Sequence, residues 1–172
     1  KLKEKKVIAN LTVNQKHFME KQELIEYLVN NRLIYGLGVS LINPTDEFIS
    51  LIQKYPNAVI HVINGVITPS DIEKLSNKNR KMLILGYKTL RRGENFLYSH
   101  SLEIAEKQFW LKENLSSLIP LFKVVSFDNL AIEQLEVQKL LSPEEWEEFY
   151  MGDDGTMTFY IDMVNQQFAK SS

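Results

Sequence analysis

The chain has 172 residues, of which 44% are hydrophobic and 24% are charged, values close to the averages of globular proteins. Its 20 basic and 22 acidic side chains give a net charge of −2, so no basic excess indicates nucleic acid or an anionic membrane surface as a partner. The sequence contains no cysteine, which excludes disulfides, thiolate metal sites and thiol nucleophiles.

No apolar run approaches the roughly 20 residues that a membrane-spanning helix needs, and the basic start KLKEKK is not followed by a signal-peptide core. These features predict a cytoplasmic protein without a membrane segment. The first residue is Lys1 rather than methionine, which leaves open both a processed end and a longer parent chain.

The hydrophobic pattern predicts strands that alternate with helices. Largely apolar runs rich in β-branched residues predict strands within 7–14, 34–42, 58–67 and 81–88, and 122–132 is predicted to be a fifth strand with the loop that follows it. Apolar residues at helical spacing, or helix-start residues, predict helices within 18–32, 43–55, 68–79, 94–119 and 142–150. Three of these helices are expected to begin at cap-and-proline pairs, namely Asn43-Pro44, Thr68-Pro69 and Ser142-Pro143.

Strands joined by helices are typical of a parallel α/β layer, and strands that are apolar along nearly their whole length indicate burial on both faces. We expect a single domain over residues 1–172, in which 7–132 form the parallel part. Residues 142–172 are expected to form a short helix and an antiparallel β-hairpin tail.

The tail contains FYMGDDGTMTFYIDMVN (149–165), which places Asp153, Asp154 and Asp162 within ten positions. Asp-Gly is typical of a tight hairpin turn, and the spacing and terminal glutamate of an EF-hand loop are absent from the sequence. We therefore interpret GDDG as turn geometry and expect a further turn at NQQ. The role of Asp162 stays open.

Ligands in parallel α/β folds bind beyond the carboxyl ends of the strands. Ser40, His61 and Asn64 interrupt apolar runs, and an unsatisfied buried polar group costs about 1–3 kcal/mol. These three side chains are therefore predicted to contact a ligand or each other. The polar residues expected at strand ends are Asn10, Asn14, Ser40, Asn43, His61, Asn64, Lys88, Asp128 and Asn129.

His61 has two interpretations, a hydrogen-bonded core histidine or a ligand contact, whereas His17 and His100 are expected at the surface. The histidine spacing predicts no metal site. The basic loop LGYKTLRRGE (85–94) could meet a carboxylate or a phosphate or simply be solvated. It matches neither a P-loop nor a dinucleotide fingerprint, and GxSxG and HExxH motifs are absent from the sequence.

Longer stretches carry a family resemblance. The stretches that carry it are FKVVSFDNLAIEQLEVQKLLSPEEWEEFYMGDDGTMTFYIDMVNQQFAKSS, VIANLTVNQKHF, IYGLGVSLINP, NAVIHVINGV and LILGYK. With these stretches the chain resembles, over nearly all of its length, the C-terminal half of a group of bacteriophage radical SAM proteins. The resemblance implies a partial (β/α) barrel that binds a [4Fe–4S] cluster and S-adenosylmethionine. It also implies a 5′-deoxyadenosyl radical that abstracts hydrogen from a substrate.

The family holds its cluster on a CxxxCxxC loop and contacts the methionine part of the cofactor through a GGE-type segment, and the sequence contains neither. We therefore expect no iron–sulfur cluster and no metal on this chain. The resemblance implies that polar strand ends contact S-adenosylmethionine, without assigning each to a part of it. The matching positions are Asn10, Asn14, Ser40, Asn43, His61, Asn64, Gly86 and Lys88.

Together these features predict an α/β fold, a parallel (β/α) half-barrel of about five strands that ends in an antiparallel hairpin. Its edge strand at 7–14 is expected to be covered by an N-terminal radical SAM half or by a second copy of the chain. S-adenosylmethionine would then be bound only when the iron–sulfur half is supplied. Two alternatives stay open: a clusterless, phage-derived binding protein that engages a host or phage protein, and a cluster-independent enzyme that uses His61 and nearby carboxylates.

Overall fold

The protein contains a five-stranded parallel sheet and a separate two-stranded hairpin. The computed structural model describes residues 4–89, 92–153, 156, 160–162 and 164–169. The sheet has the sequential order β1-β2-β3-β4-β5, and β6 pairs antiparallel with β7. The prediction of an α/β fold with five parallel strands and a C-terminal hairpin is confirmed. The strands are β1 (Asn10–Asn14), β2 (Gly36–Ser40), β3 (Val59–Ile63), β4 (Lys81–Leu85), β5 (Val124–Phe127), β6 (Tyr160–Asp162) and β7 (Gln167–Ala169).

Helices lie in the connections between successive parallel strands, and further helices lie in the segment after β5. Because consecutive strands are neighbours, right-handed crossovers place the connecting helices on one side of the sheet, as in a barrel. The helices are α1 (Gln15–Glu20), α2 (Gln22–Asn30), α3 (Asp46–Ile52), α4 (Pro69–Leu75), α5 (Arg92–Leu118), α6 (Asn129–Leu135) and α7 (Pro143–Phe149). Short 3-10 turns at Ile119–Leu121 and Val137–Leu140 follow α5 and α6.

The hydrophobic core lies between the helices and one face of the sheet. Side chains in a strand alternate between faces, and every second residue of the central strands is buried. The sheet contributes Val39, Ile60, Val62, Met82 and Ile84. The helices contribute Phe18, Phe48, Ile72, Leu111, Leu115 and Leu135. Burial of each large apolar side chain stabilises the fold by about 1.5–3 kcal/mol.

The other face of the sheet is open, and we call it the open face. Thr12 and Asn14 of β1 and Val124 and Ser126 of β5 are exposed on it, and His61 of β3 is half-buried. The expectation of burial on both faces is therefore wrong. Apolar residues such as Leu83 also occur on this face, and they give the strands their nearly continuous apolar pattern in the sequence. Polar residues lie between them on the open face.

Two of the three expected helix starts are confirmed. Thr68 and Ser142 cap α4 and α7 in full capping boxes, each with a proline in the first turn. The third prediction is wrong, because α3 is capped by Thr45, whose Oγ1 accepts a hydrogen bond from the Phe48 amide at 3.2 Å. Asn43 instead lies in the preceding loop.

Three other segments differ from the prediction. The segment 18–32 forms two helices that break at Lys21, and α5 is kinked at His100, where φ is −133° and ψ is 23°. Residues after β5 were expected to form a loop but form α6. Asp128 is its cap, and its Oδ1 accepts from the Ala131 amide at 2.8 Å.

The hairpin of the tail explains Asp162. Its Oδ1 accepts hydrogen bonds from the amides of Val164 at 2.9 Å and Asn165 at 3.1 Å, an arrangement typical of an Asx-turn. The expected turn at NQQ is therefore confirmed, and Asp162 stabilises it. The expected turn at Asp154-Gly155 lies outside the described residues.

Candidate functional site

Polar side chains from three neighbouring strands meet on the open face. The strand register pairs Asn14 with Ser40 and Ser40 with His61, so these three residues form a row across β1, β2 and β3. Period-two alternation puts Thr12 and Asn10 on the same face as Asn14. We call Asn10, Thr12, Asn14, Ser40 and His61 the polar patch.

Two glycines of β2 provide the space in which the polar patch lies. A Cβ atom on Gly38 would lie 2.6 Å from both Cε1 and Nε2 of His61, and 2.9 Å from Oγ1 of Thr12. A Cβ on Gly36 would lie 2.8 Å from Oδ1 of Asn10. Alternating glycines therefore let side chains of β1 and β3 lie across β2. The sequence reasoning missed Thr12 and Gly38, although glycines inside a strand signal close approach.

His61 presents a neutral ring to the patch. Burial lowers the pKa of His61 below its ordinary value of 6.5, so the ring is neutral at pH 7. Burial is the cause of this shift, and within the described part of the chain no hydrogen bond or ion pair engages the ring. A neutral imidazole offers one donor and one acceptor. A neutral His61 ring without an ion pair is suited to a hydrogen bond with a ligand, and it does not have the carboxylate partner of an imidazole–carboxylate pair among the described residues.

Asn14 and Asn43 have structural contacts at the carboxyl edge of the sheet. Oδ1 of Asn14 caps α1 by accepting from the His17 amide at 2.8 Å. The buried Gln15 holds the loop after β2, because its Oε1 accepts from the amides of Ile42 at 2.7 Å and Asn43 at 2.8 Å. Its Nε2 donates to the Asn43 carbonyl at 2.6 Å. The sequence reasoning overlooked Gln15, because a single glutamine between a strand and a helix carries no motif.

Asn64 belongs to a buried clamp at the ends of β3 and β4. Asn64 is fully buried, and its Nδ2 donates to Oε1 of Gln134 in α6 at 3.0 Å. Gln134 also bonds both backbone groups of Tyr87, at 2.9 and 3.0 Å. These bonds fix the Asn64 amide so that its Oδ1 points away from Gln134, and this buried atom has no partner among the described residues.

Gly86 takes part in the same attachment of β4 to α6. Its amide donates to Oδ1 of Asp128 at 2.8 Å, and the side chain of Leu130 packs directly against it. Asp128 thereby bonds the end of β4 and caps α6 with one oxygen atom. Gly86 is therefore a packing residue at this position.

The eight residues predicted from the sequence do not form one site. Asn10, Asn14, Ser40 and His61 lie on the open face, although Asn10 is at the amino end of β1 rather than the expected carboxyl end. Asn64 and Gly86 are held in the interior by α6. The side chains of Asn43 and Lys88 are exposed in loops. The structure thus brings together half of the predicted set and adds Thr12 to it.

The residues present do not fit an iron–sulfur cluster. The sequence contains no cysteine, and the described ranges contain no group of three or more His, Asp or Glu placed to hold a metal ion. The hydroxyl, amide and imidazole groups of the polar patch are, by contrast, suited to the hydroxyls and ring nitrogens of a nucleoside. Among the described helices, none has the length and apolarity required to cross a membrane.

Comparisons of the chain with protein-family models, with curated proteins and with solved structures gave no match. The family resemblance described above therefore rests on the residues of the sequence alone.

Proposed function

We propose that the chain is the C-terminal half-barrel of a radical SAM-type protein and that its polar patch contacts S-adenosylmethionine or the substrate. The observation that carries the proposal is the open face. Five parallel strands in sequential order, with helices on one side, have the arrangement of part of a (β/α) barrel. The open face corresponds to the barrel interior.

The exposure of this face supports the need for a second half. A complete barrel of this type has about eight strands, and side chains fill its interior. Here Thr12, Asn14 and Ser126 on the open face are exposed to solvent. Among the described residues, no strand pairs with the outer edge of β1, and proteins normally cover such an edge. An N-terminal half with further strands would cover both surfaces and supply the cysteines.

The role of this chain is to bind and orient. The hydroxyls of Thr12 and Ser40 and the neutral imidazole of His61 can hydrogen-bond a nucleoside or a substrate enclosed by the barrel. A cluster and S-adenosylmethionine held together with the second half would supply the radical chemistry. Water exclusion would follow when the second half covers the patch.

The test is to express this chain together with the coding segment that precedes Lys1 in its gene and to reconstitute the product anaerobically. We expect a CxxxCxxC loop in that segment and formation of 5′-deoxyadenosine that requires this chain. Ser40→Ala should lower the rate about tenfold, because an interaction with a bound ligand is lost. The matched control is Ser50→Ala on the exposed side of α3. A preceding segment without cysteines would contradict the proposal.

A second candidate function is a binding protein without catalytic activity. Apolar side chains exposed along α5 favour it: Leu102 is 80% exposed and Phe109 is 67% exposed. Their positions differ by seven, about two helical turns, so they lie on the same side of the helix. Under this alternative, Leu102→Glu would abolish capture of a partner protein, whereas Ser40→Ala and His61→Gln would leave capture unchanged. The opposite pattern would favour the half-barrel.

A further inference from the structure

A groove is lined by residues outside the polar patch. It is an open groove of about 590 Å³ between α6, with the 3-10 turn that follows it, and α7. The residues that determine its chemistry are Glu133, Glu136, Lys139, Trp146, Tyr150 and Asp153. We call it the α6–α7 groove.

One wall of the groove is aromatic. Trp146 and Tyr150 are four residues apart, and their rings stack with centroids 4.4 Å apart and an interplanar angle of 15°. The Tyr150 hydroxyl donates to Oδ1 of Asp153, which holds the ring in place. Nδ2 of Asn129 donates to the Gly152 carbonyl at 3.3 Å and attaches this wall to the start of α6.

The groove is also lined by two carboxylates, one paired with lysines and one without an ion pair among the described residues. Glu136 is paired with Lys112 at 3.0 Å and with Lys139 at 2.6 Å, and both lysines lower the pKa of its carboxyl group. The side chain of Glu133 has no hydrogen bond or ion pair with any described residue. Glu133 therefore has no charge partner among the described residues, and it lines the same groove as the two stacked rings.

The charge distribution along the chain favours a cationic occupant. Residues 128–172 carry ten acidic and two basic side chains, whereas residues 1–127 carry 12 acidic and 18 basic ones. The near-neutral total thus conceals a net charge of −8 on the C-terminal part and +6 on the rest. A surface of one sign attracts ligands of the opposite sign and raises their rate of association.

We propose that the α6–α7 groove binds an arginine side chain from a basic segment of a partner protein. A guanidinium group is planar, so it can lie against the Trp146–Tyr150 wall while it donates to the Glu133 carboxylate. An aromatic surface combined with a carboxylate matches both properties of arginine, whereas a metal ion would use only the carboxylate. The proposal is independent of the polar patch and of the radical SAM assignment.

The test uses fluorescence anisotropy with a labelled nonapeptide that carries four arginines separated by glycines. A matched peptide carries citrulline, which keeps the shape of the side chain and removes its charge. We expect the arginine peptide to bind at least about tenfold more tightly than the citrulline peptide. Glu133→Gln should weaken binding about tenfold, because a charge-assisted hydrogen bond is lost.

The control is Glu147→Gln, which makes the same change in net charge on α7 without altering a groove-lining residue. It should change the affinity less than about twofold, as expected for an exposed charge. Trp146→Leu should weaken binding about fivefold through loss of the aromatic contact. Equal weakening by Glu133→Gln and Glu147→Gln would indicate only a diffuse acidic field and overturn the proposal. Equal binding of the two peptides, or no binding, would overturn it as well.

Discussion

At the scale of single residues, the contact between His61 and Gly38 gives the polar patch its shape. Gly38→Ala should destabilise the fold by about 1–3 kcal/mol, because the new methyl group would meet the His61 ring and Thr12 at less than 3 Å. Ordinarily the same substitution in a strand is neutral or favourable. Urea unfolding of the wild type and the variant measures the difference.

The matched control for this prediction is Gly36→Ala. Its methyl group would meet the amide end of the exposed Asn10 side chain, which can move away, so the cost should stay below about 1 kcal/mol. The double variant Gly38→Ala, His61→Ala should recover part of the lost stability. Equal costs for the two glycine substitutions would contradict the account of the patch.

The lowered pKa of His61 predicts a pH dependence of stability. The unfolded chain takes up a proton near pH 6.5 but the folded chain only at a lower pH, so the unfolded state binds more protons between these values. The contribution of His61 is therefore complete above the unfolded pKa and declines as the pH falls toward the folded pKa. Urea unfolding from pH 8 to pH 5 should show that His61→Gln removes this part of the decline.

If His61→Gln and the wild type lose stability in parallel as the pH falls, burial does not hold the ring neutral.

The sequence pointed to Ser40 and His61 because they interrupt apolar runs. It did not reveal Thr12, because a threonine is ordinary in a strand.

At the scale of secondary-structure elements, the side chain of Asp128 joins the end of β4 to the start of α6. Asp128→Ala should cost about 2–4 kcal/mol, because α6 loses its cap and the Gly86 amide loses its acceptor. Asp128→Asn should cost less, since an amide oxygen can still accept both bonds. Ser142→Ala, which removes the exposed cap of α7, should cost about 1 kcal/mol. Chemical unfolding of the three variants tests this order.

A result in which Asp128→Ala costs no more than Ser142→Ala would contradict the double role of Asp128.

The helix caps show which helix starts could be predicted from the sequence. Thr68-Pro69 and Ser142-Pro143 identify helix starts by local chemistry, and both are confirmed. Asp128 was expected at the end of the fifth strand with a loop after it, because α6 is only seven residues long and its helical pattern is correspondingly short.

At the scale of the whole molecule, the sequence predicted five parallel strands and a C-terminal hairpin but not the unequal burial of the two sheet faces. Apolar content alone cannot separate a strand covered on both sides from one covered on one side. The distinction depends on how many strands close around the interior. Residues such as Leu83 are suited to the inside of a complete barrel and are half-buried in this chain. The parallel sheet therefore fits a part of a larger barrel.

The most direct measurement of the central claim is an amide NMR titration with S-adenosylhomocysteine, a stable analogue of the cofactor, of the isotope-labelled chain assembled with its proposed N-terminal half. The half-barrel account predicts weak binding with shifts concentrated at Thr12, Gly38, Ser40 and His61. Those shifts should be reduced in Ser40→Ala and unchanged in Ser50→Ala. No shifts at high ligand concentration, or shifts confined to residues outside the open face, would contradict the claim that this face binds the cofactor.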